Sequence, residues 1–182
     1  MEDYALVLDY LPQGLPTDKS FKKEPLVLAV GDSEFKLFEL VPKSDAIITI
    51  GDRVYIGKDP ELRDKIIHVK RRIGYEELTA AAQAELPFIL LDIVNAEEER
   101  FVKFFNEAQS ITTRFHMLEL IPGLGKKTMW AIVEERKKGP FLNYADISKR
   151  VTTVKQPQKL ISKRIEDELA DPNQKYRIFV SR

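Results

Sequence analysis

The segment 121–128, Ile-Pro-Gly-Leu-Gly-Lys-Lys-Thr, has residue types and spacing suited to binding a phosphate. The two glycines carry no side chain that would hold a phosphate away from the backbone N–H groups. A helix that begins after them would add the positive end of its dipole, and the two lysines and the threonine add charge and a hydroxyl. The residues expected to form this site are Gly123, Leu124, Gly125, Lys126, Lys127 and Thr128.

Apolar residues at helical spacing lie on both sides of this segment. Before it, Thr112 or Thr113 is expected to cap a helix that ends at Pro122. After it, a second helix is expected from Lys126, and Leu124 is expected to anchor the turn in the core. The apolar faces of the two helices are Phe115, Leu118 and Ile121, then Met129, Ile132 and Val133. The pattern predicts a helix-hairpin-helix that binds the nucleic-acid backbone largely without regard to base sequence.

A second, less regular copy of this pattern follows in the chain. Asn143 is predicted to cap a short helix, and Pro157 suits the first position of another. The apolar face of that last helix is Leu160, Ile161, Ile165 and Leu169. The turn between them has no glycine, so two roles stay open: phosphate binding or structural support. The residues that would bind are Thr152, Thr153, Lys155 and Lys159.

Charge is distributed unevenly along a chain whose net charge is zero. Residues 1–113 hold 14 Lys and Arg against 21 Asp and Glu, a balance of −7. Residues 114–182 hold 15 against 8, a balance of +7. Because lysine and arginine supply most non-specific affinity for phosphates, the basic half favours duplex or structured RNA or DNA as the partner.

The first 74 residues predict a small β-barrel, with an OB-fold as the leading candidate. Short apolar runs alternate there with turns containing Gly, Pro or Asp, at 4–11, 26–30, 35–41, 47–50, 53–56 and 65–72. Strand alternation predicts one polar face formed by Arg53, Tyr55, His68, Lys70 and Arg72. This face would bind a single strand or a protein partner, or it is an ordinary solvated surface, which the acidic balance of this half favours.

The predicted fold class is α+β in three parts. Residues 1–74 form the barrel and 75–110 a helical bridge in which Pro87 restarts the chain. Residues 111–182 form a tandem helix-hairpin-helix domain with a short terminal strand at 176–180. Trp130 and the phenylalanines at helical spacing, Phe101, Phe104, Phe105 and Phe115, are expected in the core.

Several classes of site are disfavoured by composition. The chain has no cysteine, which excludes thiolate metal sites and cysteine nucleophiles, and its two histidines lie 48 residues apart, which disfavours a zinc site. We expect no metal, no cofactor and no catalytic residue. The acidic N-terminus and the absence of a long apolar run predict a cytoplasmic protein without a membrane partner. We expect a monomer, and the residues leave RNA or DNA open.

Two resemblances extend these predictions. Residues 115–169 resemble the tandem helix-hairpin-helix domain of Holliday-junction-binding and related repair proteins. Nearly the whole chain resembles an archaeal family of unknown function for which nucleic-acid binding is implied. That second resemblance rests on Gly-Asp-Arg-Val-Tyr-Ile-Gly at 51–57, the turn at 121–127 and the segment 141–169.

The turn also resembles that of base-excision DNA glycosylases, which implies an enzymatic alternative. Lys127 lies where that family has its nucleophilic lysine, and Asp146 lies near the position of its essential aspartate. A lysine nucleophile needs a desolvating pocket that lowers its pKa, and the few helices beside a barrel offer little material for one. A third hypothesis is a protein-interaction adaptor. The non-enzymatic nucleic-acid-binding protein remains the leading prediction.

Overall fold

The computed structural model describes residues 1–19 and 21–182, which form two compact units. The first unit contains residues 1–89 and 168–182, and the second contains residues 90–167. The divisions fall inside two helices, whereas the predicted domain boundaries were at residues 74 and 110. The fold class α+β is confirmed.

The first unit contains a curled five-stranded antiparallel sheet, a half-barrel with strand order β4-β1-β2-β3-β5. Its strands are β1 (Tyr4–Leu11), β2 (Leu26–Gly31), β3 (Leu37–Pro42), β4 (Arg53–Tyr55) and β5 (Ile66–Ile73). One face packs a cluster that includes Val7, Ala29 and Leu40, all fully buried. The strand predicted at 47–50 is absent, since residues 47–49 have no regular secondary structure and a turn follows at 50–51. Asp52 closes this turn by accepting the N–H of Thr49 with its carboxylate and donating its backbone N–H to the Thr49 carbonyl.

Five helices follow the sheet in the chain: α1 (Ala80–Ala96), α2 (Glu98–Glu107), α3 (Lys126–Lys137), α4 (Tyr144–Arg150) and α5 (Pro157–Ala170). The restart predicted at Pro87 is wrong, since Pro87 lies inside α1. The neighbouring Leu86 and Leu90 are fully buried. We attribute the intact helix to this packing, which offsets the cost of about 3 kcal/mol for an internal proline. None of the helices described is long and apolar enough to span a membrane.

The helix predicted before the first turn is also wrong. The chain there forms a two-stranded hairpin, β6 (Ser110–Thr112) and β7 (Phe115–His116), followed by a 3₁₀ helix at Met117–Leu120. Thr112 turns the chain between the strands by accepting the N–H of Arg114 with its hydroxyl. A β-branched threonine that bonds its own backbone in this way favours a turn over a helix.

The terminal segment does not form the predicted strand. Its residues 178–180 donate their N–H groups to one carboxylate oxygen of Glu168, at 3.0, 3.1 and 3.1 Å. Glu168 is fully buried near the end of α5. Because these N–H groups are directed at a side chain, they are not available for a strand ladder.

Candidate nucleic-acid interface

The first turn is anchored at both ends and exposed in the middle. Leu124 donates its N–H to the Ile121 carbonyl at 3.1 Å, and both side chains are at least 95% buried. Pro122 and Gly123 lie between them, and Gly123 has φ of 88°. Proline followed by a positive-φ glycine is the arrangement of a type II turn. The expectation that Leu124 enters the core is confirmed.

The N-terminus of α3 is open to a ligand. The first intrahelical bond runs from the N–H of Met129 to the Gly125 carbonyl, at 2.9 Å. The N–H groups of the three preceding residues, 126–128, therefore have no acceptor within the helix. A methyl group placed on Gly125 would meet no atom within 4 Å, so an anion has free access at this position.

The second turn is closed by the same kind of backbone bond as the first, but it contains no glycine and no residue with positive φ, so it is not a type II turn. Val154 donates its N–H to the Val151 carbonyl at 3.0 Å, and both valines are buried while Thr152 and Thr153 are exposed. The predicted Asn143 cap is confirmed, since its side-chain oxygen accepts the N–H of Asp146 at 2.7 Å. The predicted start of α5 at Pro157 is confirmed as well.

The two turns lie side by side. The hydroxyl oxygen of Thr128, in the first turn of α3, is 3.4 Å from the hydroxyl oxygen of Thr153 in the second turn. These residues are 25 positions apart in the chain, so the fold brings them together. We call residues 123–128 and 152–159 the paired-turn surface.

Free positive charge on the paired-turn surface comes from three lysines. Lys127, Lys155 and Lys159 are exposed, and none forms an ion pair with any residue that the structure describes. Lys126 differs, because its ammonium lies 3.2 Å from a Glu119 carboxylate oxygen and donates to the Arg114 carbonyl at 2.7 Å. Lys126 therefore stabilises the turn through these contacts, and the ammonium groups of Lys127, Lys155 and Lys159 are available to bind a phosphate.

Buried polar groups support the approach to the first turn. Arg164, only 8% exposed on α5, donates to the Leu120 carbonyl at 3.2 Å. His116 accepts the backbone N–H of Leu118 with its imidazole Nδ1 at 3.0 Å. The backbone N–H of His116 is donated to the Glu119 carboxylate. Burial of the imidazole, and next the nearby Arg136 guanidinium, lowers the pKa of His116.

The lowered pKa of His116 predicts a dependence of stability on pH. A group whose folded-state pKa is depressed stabilises the fold above its unfolded pKa, near 6.5, and loses that contribution as pH falls below it. The free energy of unfolding should therefore fall as the pH is lowered below about 6.5, by at most about 1.4 kcal/mol per pH unit from one group. Urea unfolding of wild type and His116→Asn, whose amide can still cap, checks this. An unchanged pH dependence in His116→Asn would contradict the assignment.

The residues predicted on the barrel face lie on the two edge strands of the sheet. Arg53 and Tyr55 lie on β4 and Lys70 and Arg72 on β5, at opposite edges of the strand order. Arg53 pairs with Asp32 at 2.8 Å and stacks over the ring of Tyr4.

A β-bulge further divides the two residues on β5. Leu40 pairs with Val69 and the preceding Glu39 with Arg71, so Lys70 is the extra residue. Arg72 then lies in a cleft with Val69, and Lys70 in a different cleft with Arg71. The predicted alternation of His68, Lys70 and Arg72 on one side is wrong for this reason.

The predicted core position of Trp130 is wrong. It is 57% exposed on α3, whereas the core positions of that helix are taken by Met129 and Ile132. Phe101 and Phe105 are buried as predicted. A helical wheel could have found Trp130, since it points about 160° away from Ile132 at 100° per residue.

The enzymatic alternative depends on Lys127 and Asp146. The carboxylate of Asp146 accepts the N–H of Leu142 at 3.0 Å and contacts Arg150 at 3.2 Å. The N–H of Leu142, and next the Arg150 guanidinium, lower the pKa of Asp146. Lys127 is exposed and so lacks the desolvation that activates a lysine nucleophile. In the described chain, no group of three His, Cys, Asp or Glu residues is placed to hold a metal.

The fold and the paired turns define an α+β protein with a curled antiparallel sheet and a helical unit in which two turns lie side by side. The chain belongs to the protein family of unknown function DUF655, whose model matches residues 1–181. The uncharacterized protein MJ0038 of Methanocaldococcus jannaschii is 49% identical over 180 residues, which cover 98% of this chain and 80% of the relative. The crystal structure of Af1531 from Archaeoglobus fulgidus, a DUF655 protein, matches with a TM-score of 0.92 and 48% identity, covering 99% of this chain and all of the other.

Proposed function

We propose that this protein is a non-enzymatic nucleic-acid-binding protein that grips backbone phosphates through the paired-turn surface. The observation that carries the proposal is the contact between Thr128 and Thr153, which places the two turns side by side. Each turn is followed by a helix N-terminus, and three unpaired lysines lie on the same surface. Successive phosphates of one nucleic-acid chain would meet both turns.

We interpret the helical unit as a tandem helix-hairpin-helix domain in which the first helix is reduced to a 3₁₀ turn. The 3₁₀ helix at Met117–Leu120 and α3 flank the first turn, and α4 and α5 flank the second. Both turns bury an aliphatic residue at each end. Contacts made by backbone N–H groups and lysines reach phosphates and not base edges, so the expected binding has little sequence preference.

We interpret the sheet of the first unit as an OB-like barrel. Its order joins β1 to both β2 and β4, and β3 to both β2 and β5, so β4 and β5 are the two edge strands of this sheet and are the strands that would have to meet to close a barrel. Barrels of this class often bind single strands or proteins. Because Arg53 is paired with Asp32 and Lys70 and Arg72 lie in different clefts, we assign phosphate binding to the paired-turn surface.

Gly125→Ala is the sharpest test of the proposed function. Gly125 has φ of −82° and open space around it, so alanine fits without strain. The methyl group would stand where a phosphate approaches the N–H groups of α3. We expect roughly tenfold weaker binding in this variant, on the scale of one charge-assisted hydrogen bond. Fluorescence anisotropy with duplex DNA, structured RNA and single strands, each across a salt series, measures the effect.

The matched control is Gly74→Ala, where the backbone also has negative φ and an added methyl meets only an ordinary contact at 3.8 Å. It should bind like wild type. Gly123→Ala is unsuitable, because φ of 88° would strain alanine by about 1–2 kcal/mol and confound binding with folding. Equal binding by Gly125→Ala and wild type would remove the first turn from the interface, and salt-insensitive binding by wild type would refute a phosphate grip.

A further inference from the structure

We propose that Trp130 stacks on an unpaired base beside the phosphates held by the paired-turn surface, so that the preferred ligand carries single-stranded nucleotides next to a duplex or a folded stem. This inference rests on the proposed function and names its substrate class. Stacking supplies affinity without base identity, which suits a surface that contacts backbone.

Exposure is the first observation that supports this role. Trp130 is 57% exposed in the middle of α3, although Met129 beside it is 4% exposed and Ile132 is fully buried. The helix thus packs without its largest side chain. Tryptophan is enriched at interfaces, where its ring contributes a large apolar contact area.

Position is the second observation. At 100° per residue, Trp130 lies about 40° around the helix axis from Lys126 and about 60° from Lys127. In an α-helix the Cα–Cβ bond tilts toward the N-terminus, so the indole extends over the turn that precedes it. That turn holds Lys127 and the open N–H groups of residues 126–128. An aromatic platform therefore lies beside the site where a phosphate would bind.

Charge is the third observation. The acidic residue one turn further along this face, Glu134, is paired with Lys137 at 2.9 Å. On the C-terminal side of Trp130 the charges of Glu134 and Lys137 therefore cancel. On its N-terminal side Lys127 has no ion pair with any described residue, so that side is positive. This combination complements a polyanion whose bases are free to stack. Each base of a continuous duplex is stacked between its neighbours and has no face exposed to an indole ring. Stacking on Trp130 therefore favours unpaired nucleotides.

The experiment uses the fact that Trp130 is the only tryptophan in the chain. Wild type is titrated with a blunt duplex and with the same duplex carrying a short single-stranded overhang, while tryptophan fluorescence and anisotropy of a labelled strand are followed. We expect fluorescence quenching by the overhang ligand and tighter binding of it. Trp130→Ala should lose roughly 5- to 150-fold in affinity for the overhang ligand and little for the blunt duplex.

Two variants keep the test specific. Trp130→Phe retains an aromatic face and should recover part of the loss. Leu142→Ala removes another exposed apolar side chain, 79% exposed, and should bind both ligands like wild type. Equal binding of both ligands, without quenching and without an effect of Trp130→Ala, would overturn the stacking role and leave the phosphate grip intact. Failure of wild type to bind any nucleic acid would overturn the proposed function as well and would point to a protein contact at Trp130.

Discussion

Glu168→Ala should lower the free energy of unfolding by roughly 3–5 kcal/mol, the largest stability effect that we expect from a single substitution. One oxygen of this fully buried carboxylate accepts the N–H groups of residues 178–180. The variant would leave three donors without their acceptor and a space beside α5. Urea unfolding followed by circular dichroism measures the loss, and hydrogen exchange should show residues 178–180 exchanging faster.

Two variants bracket this prediction. Glu168→Gln keeps a carbonyl oxygen of the same shape and should fall between wild type and Glu168→Ala. Glu166→Ala, on the same helix, removes a partly exposed carboxylate 3.9 Å from Lys163 and should cost less than about 1 kcal/mol. A loss in Glu168→Ala no larger than that in Glu166→Ala would show that the carboxylate does not hold the terminal segment.

Replacing Lys127, Lys155 and Lys159 together by alanine should weaken nucleic-acid binding on the order of 100-fold near physiological salt. Each lysine that neutralises a phosphate releases a counterion, which contributes about −0.9 to the slope of log K against log salt for duplex DNA. The slope should therefore become less steep by up to about three. Anisotropy titrations at four or more salt concentrations yield both quantities.

The control for charge alone is the triple variant Lys23→Ala, Lys58→Ala and Lys103→Ala, which changes net charge equally at exposed positions outside the paired-turn surface. Its affinity should fall far less. If the two triple variants weaken binding to the same extent, the effect is one of overall charge and the paired turns are not the contact surface.

Local signals in the sequence predicted the parts of the site that depend on a few adjacent residues. The Pro122–Gly123 turn, the Asn143 cap and the start of α5 at Pro157 each follow from the conformational preferences of those residues. The same reasoning failed before the first turn, where Thr112 and His116 bond to the local backbone and divert the chain from a helix. A side chain that competes with the backbone for hydrogen bonds weakens a prediction from apolar spacing.

Features set by tertiary placement could not be predicted from the sequence. The contact of Thr128 with Thr153 and the pairing of Lys126 with Glu119 depend on how separate elements pack. The bulge at Lys70 shifted one strand against its neighbour and moved Arg72 to the other cleft. A prediction from alternating side-chain directions assumes an unbroken strand, so it cannot show where a bulge inserts one extra residue and reverses the faces that follow.

The measurement that most directly tests the phosphate grip is an amide ¹H–¹⁵N NMR titration of the wild-type protein with a short duplex carrying an overhang. If the phosphate grip is correct, the largest chemical-shift changes will occur at residues 123–128 and 152–159 and will become smaller as salt is raised. Changes concentrated on the sheet of the first unit, with both turns unaffected, would contradict it.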